Sequence, residues 1–491
     1  MSWADRLEPA RMARVAVVAP TSGFRRVLVE VADTGVTELE VSEGADGPAG
    51  AALRSSFGAP EPKGGPGRAE GYGPTRLAPD PPDPEALAHA RKADLLAGEA
   101  ELERRLVTAI TRGSVTATAG WAPAACVPFL SGRLAPLGAS VVVLPPPLGV
   151  EPPTLLTADG AAASFRPLVD IYATVPYRDV DPSIFAGLAY VLMFGMMFGD
   201  VGHGLVLLLT GLALRTGRPR PLSRFRRAWP FLVGAGMCAT GFGVAYGEVF
   251  GPTGLTHPLW LAPLDNPTSL LAAAVAAGAV LLGAAYAVGS VNRWREGGVG
   301  LAAVSASGLA GAALYLGLGV LGAGWYWHRG ELVIAGGVLA GAGALLVTTG
   351  LAARAGGGAA GAVETAVELF DTVVRLGSNV VSFARLAAFG LTHAALAGIV
   401  WTATVSLWGR GPWAALPAVL VFAVGNAVAF ALEGLVAGVQ ALRLEYYELF
   451  SKVFASEGRP FRPWHVPTAL PEEVTCPGSS PFPSSPPARS G

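Results

Sequence analysis

Charge is what this chain lacks. Only 14% of its 491 residues are Asp, Glu, Lys or Arg, against about 25% in an ordinary soluble protein. Hydrophobic residues make up 52% and the mean hydropathy is +0.47, so a wholly soluble fold is excluded and an integral membrane protein with a soluble portion is expected. Neither sign of charge is in excess (net −1), so no basic field points to nucleic acid. Cysteine is scarce as well: Cys126, Cys238 and Cys476 lie far apart and offer neither a disulfide framework nor a metal spacing. The opening "MSWADRLEPARMAR" has no apolar leader core, so the N-terminus is expected to be uncleaved and cytoplasmic. The N-terminal third also lacks a phosphate loop, a paired-glycine fingerprint and a nucleophile elbow, leaving no catalytic nucleotide site, cofactor or metal set to read.

What is present divides into regions. Residues 1–150 read as a small cytoplasmic α+β domain of two strand–helix–strand halves. Strands are expected at 13–20, 36–41, 114–121 and 139–145, with helices at 21–34 and 124–136. Between the halves stand a Gly/Pro-rich stretch, about 44–84, read as a disordered loop, and a charged helix over 85–112. A scaffold or docking role suits this domain better than a catalytic one. A connector occupies 151–183, a membrane domain 184–456, and a cytoplasmic tail, largely disordered, 457–491.

Apolar runs lie near 184–214, 229–250, 268–291, 299–321, 331–352, 363–403 and 414–443, and a span needs about 20 residues. The first run is interrupted by "FGDVGHG" (198–204). If it forms two short helices, the six-arginine loop "RTGRPRPLSRFRR" (215–227), "NRWRE" (292–296) and Arg354 face the cytoplasm, as the positive-inside rule asks. The outer loops then hold at most Arg329 and Arg410. The expectation is a mainly α membrane protein of about eight spans, with Asp200 and His203 near the outer tip of a short hairpin.

Two long C-terminal helices carry polar stripes. The run 363–403 would be about 60 Å of helix at 1.5 Å per residue, twice the hydrocarbon thickness, so it must tilt or project. Asp371, Ser378, Ser382 and Arg385 follow at steps of seven, four and three and share a face, with His393 about 80° round from Arg385. In the last run Asn426, Glu433 and Gln440 are spaced by seven, and Arg443 follows three later. Packing alternatives exist. Arg385 and Glu433 can pair simply to hold helices together, Arg443 can be an end anchor, and Asp200, His203 and Glu248 can cap a hairpin. Stripes of ionisable residues on adjacent helices nevertheless point to an ion path.

These motifs resemble a known family. "YVLMFGMMFGDVGHG" (190–204), "SNVVSFARLAAFGLTHAAL" (378–396) and "LEGLVAGVQALRLEYYELFSKVFASEGRPFRPW" (432–464) are similar to the a/I membrane subunit of the rotary V/A-type ATPases, in a bacterial form with a shortened cytoplasmic domain. "MARVAVVAP", "PTLL" (153–156) and "PYRDVDP" (176–182) extend the match. The resemblance implies a non-catalytic stator in the plasma membrane, both termini cytoplasmic, forming proton half-channels against a proteolipid c/K-ring. It implies proton translocation through Arg385, Arg443, Glu433, His393, Gln440, Asp371 and Ser382, with Asp200, His203 and Glu248 as a candidate outer half-channel. Implied partners are the lipid bilayer, peripheral stalk subunits of the E/G type, a central stalk cap of the d/C type and, indirectly, the soluble V1/A1 sector that handles ATP. The family's long coiled-coil arm is missing here. The competing reading is a secondary transporter using an intramembrane Arg/Glu pair, for which no internal repeat is visible. A purely structural membrane anchor is the third.

Overall fold

The computed structural model describes residues 8–40, 47–57, 77, 80–90, 92–156, 161–217, 226, 228–454 and 456–464. The chain divides into two compact units: 9–157 with 458 onward, and 1–8 with 158–457.

The first unit is built on one antiparallel sheet. Its elements are β1 (Met12–Pro20), α1 (Phe24–Thr34), β2 (Glu38–Leu39), α2 (Pro48–Phe57), α3 (Pro84–His89), α4 (Ala93–Thr108), β3 (Ile110–Arg112), β4 (Val115–Pro123), α5 (Val127–Leu134) and β5 (Ser140–Leu144). The order β2-β4-β1-β5, with β3 on the outer flank of β4, interleaves the two strand–helix–strand halves. Each half has a strand of the other between its own two strands, so every neighbouring pair is antiparallel, a split βαβ arrangement. Val15, Val17 and Ala19 alternate inward along β1 and are buried with Val27, Leu28 and Val31 of α1 and Leu130 and Leu134 of α5. Arg25 of α1 binds the Glu99 carboxylate of α4 at 2.8 Å.

Several local expectations change. The expected helix over 85–112 is two helices and a strand. Part of the stretch read as disordered is α2, whose Ala49 packs on Leu96 and Ala100 of α4; residues 58–76 lie outside the described residues. Cys126 is disulfide-bonded, which the wide cysteine spacing did not suggest. The last described residues also fold here. Thr154 N–H donates to Arg459 O at 2.7 Å, and Phe461 N–H to Thr154 O at 3.0 Å. Trp464 enters the core, 6% exposed, its backbone N–H donating to Thr37 O at 2.8 Å. The aromatic ring is what draws this short segment in.

The second unit is helical: α6 (Ala161–Tyr172), α7 (Ser183–Met197), α8 (Val201–Arg215), α9 (Trp229–Tyr246), α10 (Pro267–Val304), α11 (Leu309–Tyr326), α12 (Gly330–Ala352), α13 (Gly358–Ser382), α14 (Ala384–Trp408) and α15 (Ala415–Leu444), then a π-helical turn (Glu445–Phe450) and α16 (Ser451–Val453). Among the described residues five helical stretches are long and apolar enough to cross a membrane: Pro267–Val304, Leu309–Tyr326, Gly330–Ala352, Gly358–Trp408 and Pro412–Val453. This is a multi-pass membrane protein, mainly α, with a small antiparallel sheet near its N-terminus.

The interrupted first run is two helices of 15 residues each. Both pack on α9. Val191 and Gly195 of α7 meet Gly234 and Cys238, so α7 runs parallel to α9. Gly204 and Gly211 of α8 meet Thr240 and Val233, so α8 runs antiparallel to it. The turn between them therefore lies at the same end as the loop after α9. The expected single helix over 363–403 is broken. At Phe383 the α-helical ladder gives way to i→i−3 bonds, Phe383 N–H to Val380 O (3.2 Å) and Leu386 N–H to Phe383 O (2.9 Å). Phe383 is fully buried and seated on Gly278 of α10, where a Cβ would lie on its ring.

Candidate functional site

The turn between α7 and α8 builds the first wall. Asp200 has extended backbone and caps α8, its Oδ1 accepting from His203 N–H at 2.9 Å. That satisfies one orphan donor of the helix start. Its Oδ2 accepts from Gly251 N–H at 2.9 Å, and Val201 N–H donates to Glu248 O at 3.0 Å. One carboxylate thus ties the turn to loop 247–251. Gly202 is required at this junction, because a Cβ there would enter the Phe250 ring.

Into this corner α14 sends His393 and α15 sends Glu433. His393 Nδ1 and a Glu433 carboxylate oxygen are hydrogen-bonded. The His203 and His393 rings stand 5.6 Å apart, edge to face. Phe198 packs on both, at 5.5 and 5.0 Å, while Phe250 and Phe430 close the sides of His203 at 5.3 and 5.7 Å. His203 is 1% exposed and His393 3%. Asn426 of α15 stands beside His203 and donates its amide to Phe422 O at 2.9 Å. Glu248, also buried, has His393, Asp200 and Glu433 as its charged neighbours. Four atoms of this buried corner make no hydrogen bond: both ring nitrogens of His203, His393 Nε2 and Glu433 Oε1; His203 Nδ1 stands 3.8 Å from Asp200 Oδ1.

A second polar group lies eight residues earlier on α14, about 12 Å along the axis. Arg385 approaches Glu448 at 3.9 Å and is 29% exposed. The Asn379 amide, oriented by its partners, donates to Glu448 Oε2 at 2.8 Å and to Arg375 O at 3.0 Å. Glu445 is wholly buried with both oxygens lacking a hydrogen bond. Glu445 and Glu448 sit in the π-helical turn, a register change that re-aims side chains and recurs at functional sites. Between the two groups the buried face of α14 is apolar: Leu386, Ala387 and Gly390.

The sequence-derived residues sort as follows. Asp200, His203, Glu248, His393 and Glu433 form one cluster, not an outer trio and a separate stripe. Glu433 pairs with His393 and Arg385 with Glu448, so the Arg385–Glu433 pair considered from sequence is not formed. Asp371 pairs with Arg375 one turn on. Ser382 is half-buried beside the break at Phe383, and Gln440 is half-buried with its Oε1 unbonded. Arg443 is exposed, with no ion pair among the described residues. Glu448, Glu445 and Phe383 were not singled out from sequence. Carboxylates in an apolar run were the available signal for the two glutamates; nothing marked Phe383.

The comparisons with known proteins agree with these motifs. The V-type ATPase 116kDa subunit family matches residues 115–224 and 362–466, the segments that contain both polar helices and the α7–α8 turn. The A-type ATP synthase subunit I of Aeropyrum pernix is 28% identical over 347 residues, covering 62% of this chain and 50% of that protein. The subunit I of Halobacterium salinarum is 29% identical over 394 residues, 64% and 51%. The V-type ATP synthase subunit I 2 of Treponema pallidum is 36% identical over 118 residues, 24% and 25%. The chain spans about half the length of the archaeal relatives it matches. The motifs lie in order on the helices that form the two polar groups, within the two segments that this family model matches.

Proposed function

We propose that this chain is the membrane stator of a rotary ATPase, with two proton half-channels that meet at Arg385. The observation that carries the reading is the separation along α14 of two polar groups, Asp200/His203/His393/Glu433 and Arg385/Glu448/Asn379, by an apolar stretch. A carboxylate on a partner ring facing lipid stays protonated because burial penalises its charged form. Brought beside Arg385 it ionises, because a nearby cation favours the anion. The proton leaves through one group and is replaced through the other. A guanidinium suits the barrier because it does not deprotonate. His393, Glu433, Glu248 and the Asp200/His203 corner line the outer path. Asp371, Ser382 and Glu448 line the inner one, and Arg443 and Gln440 flank the ring face. Ion flow through these paths is coupled to ATP synthesis or hydrolysis in a soluble sector of other subunits.

The eight-span reading gains support from chain topology. Residues 154 and 461 hydrogen-bond within one soluble unit, so the intervening chain leaves that unit and returns to it. An even number of crossings follows. With the five long stretches among the described residues, we take α9 as a sixth crossing and α7 with α8 as one passage out and one back. Both termini then lie on the cytoplasmic side of the plasma membrane, where the soluble unit can dock stalk subunits. Disulfide trapping tests the ring-facing surface. Ala388→Cys, exposed on α14 three residues past Arg385, is expected to cross-link to a cysteine placed one turn from the ring carboxylate. A cross-link from the exposed face of α12 and none from Ala388→Cys would overturn the assignment.

A further inference from the structure

Asp200, His203 and His393 present one ligating atom each, all within 4.8 Å of one another and all buried. We propose that they form a binding site for a transition-metal dication of the zinc class, whose occupancy closes the outer proton path; the effect on proton flow rests on the stator reading above, the binding does not. Sequence spacing gave no metal set because the donors come from two helices almost two hundred residues apart, about 190 by subtraction of the positions 203 and 393.

The donors suit the ion. Two imidazoles and a carboxylate are the ligand types of zinc and its borderline neighbours, whereas magnesium and calcium take oxygen sets. Bonds of about 2.0–2.1 Å in a tetrahedron need donors about 3.3 Å apart, a closure of at most about 1.5 Å from separations that lie within 4.8 Å. The supporting shell is already in place. Glu433 holds His393 through Nδ1, leaving Nε2 as the open donor, the carboxylate–histidine arrangement that orients metal ligands. Asp200 is pinned by His203 N–H and Gly251 N–H and keeps lone pairs for a metal. The independent observation is His203. Its ring is 1% exposed, among aromatic rings; Nδ1 lies 3.8 Å from Asp200 Oδ1 with Asn426 alongside, and neither nitrogen makes a hydrogen bond. Buried polar groups without partners are rare and call for water or an ion. A metal on these atoms removes the imidazole nitrogens and the carboxylate from proton transfer together.

The test uses the intact purified complex, stripped with a chelator and titrated with Co²⁺ as the probe. One tight Co²⁺ per copy of this subunit, with the d–d absorption of a four-coordinate site and displaced by Zn²⁺, is expected. His203→Gln and His203→Phe are expected to lose that equivalent; the second keeps the aromatic packing with Phe198, Phe250 and Phe430. X-ray absorption of the Zn²⁺-loaded wild-type complex needs no variant and is expected to show mixed imidazole nitrogen and oxygen donors. In proteoliposomes, half-inhibition of proton flux by Zn²⁺ should shift at least tenfold upward in His203→Gln, relative to its own metal-free rate. Equal Co²⁺ stoichiometry in wild type and variants, or an all-oxygen Zn²⁺ shell, overturns the proposal and leaves the cluster a metal-free proton relay. Arg385→Ala is expected to bind Co²⁺ as wild type does, so a failure of the stator reading is seen separately.

Discussion

His393 and Glu433, 40 residues apart in sequence, are bonded side chain to side chain in the buried interface of α14 and α15. The bond fixes which imidazole nitrogen faces the Asp200–His203 corner and leaves one glutamate oxygen open. A proton acceptor and a proton donor of different chemistry are thereby held in contact at the depth of the α7–α8 turn.

Removing one partner of that pair should be worse than neutralising it. Glu433→Ala leaves the His393 Nδ1 buried and unbonded, a cost of about 1–3 kcal/mol. Proton pumping in vesicles is expected to fall at least tenfold and the yield of assembled complex to drop. Glu433→Gln keeps an acceptor oxygen, so assembly should be near wild type while pumping is still reduced. Comparing assembly yield with pumping separates the two effects.

Asp200 is expected to act first as a staple. Asp200→Ala removes the α8 cap, about 1–2 kcal/mol, and also strips Gly251 N–H of its acceptor. Asp200→Asn retains one cap oxygen and should recover most of the loss. Thermal unfolding of the detergent-solubilised complex reads the difference.

The seat of Phe383 should control Arg385 without touching its charge. A side chain at Gly278 would occupy the place of the Phe383 ring, so Gly278→Val is expected to lower ATP-driven pumping severalfold while the complex still assembles. Restoring space with Phe383→Leu in the same chain should recover part of the activity. No effect of Gly278→Val on pumping would show that the break at Phe383 does not position Arg385.

Trp464 should matter to a unit far from it in sequence. Trp464→Ala opens a cavity in the core shared with Val17, Leu28 and Leu102, a loss of about 3 kcal/mol. Limited proteolysis of the full-length chain is expected to cut within residues 9–157 at a higher rate in the variant.

Much of this is legible in the sequence. The glycines and Asp200 of "FGDVGHG" marked a break, and the arginine-rich loop 215–227 argued for two short helices over one long one. The seven-residue spacing of Asn426, Glu433 and Gln440 placed them on one face of α15. Partner choice was not legible. Whether Glu433 meets Arg385 or His393 depends on where α14 and α15 cross, and helical period carries no such information. Phe383 is neither glycine nor proline, so its interruption of the ladder arises from the space that Gly278 leaves on α10. The π-helical turn that buries Glu445 and Glu448 changes register without a sequence mark. Helix α2 was hidden because its neighbours are rich in glycine and proline, although "PAGAALRSSF" alone, with proline at the first helical position, favours a helix.

The most direct measurement is ATP-driven proton uptake by vesicles carrying Arg385→Ala or Arg385→Lys in an assembled complex. Uptake is expected to vanish in the alanine variant and to be nearly lost in the lysine variant, because lysine can give up its proton when desolvated, while the complex keeps its full subunit complement. Uptake near the wild-type rate in either variant would contradict the claim that Arg385 is the barrier between two half-channels.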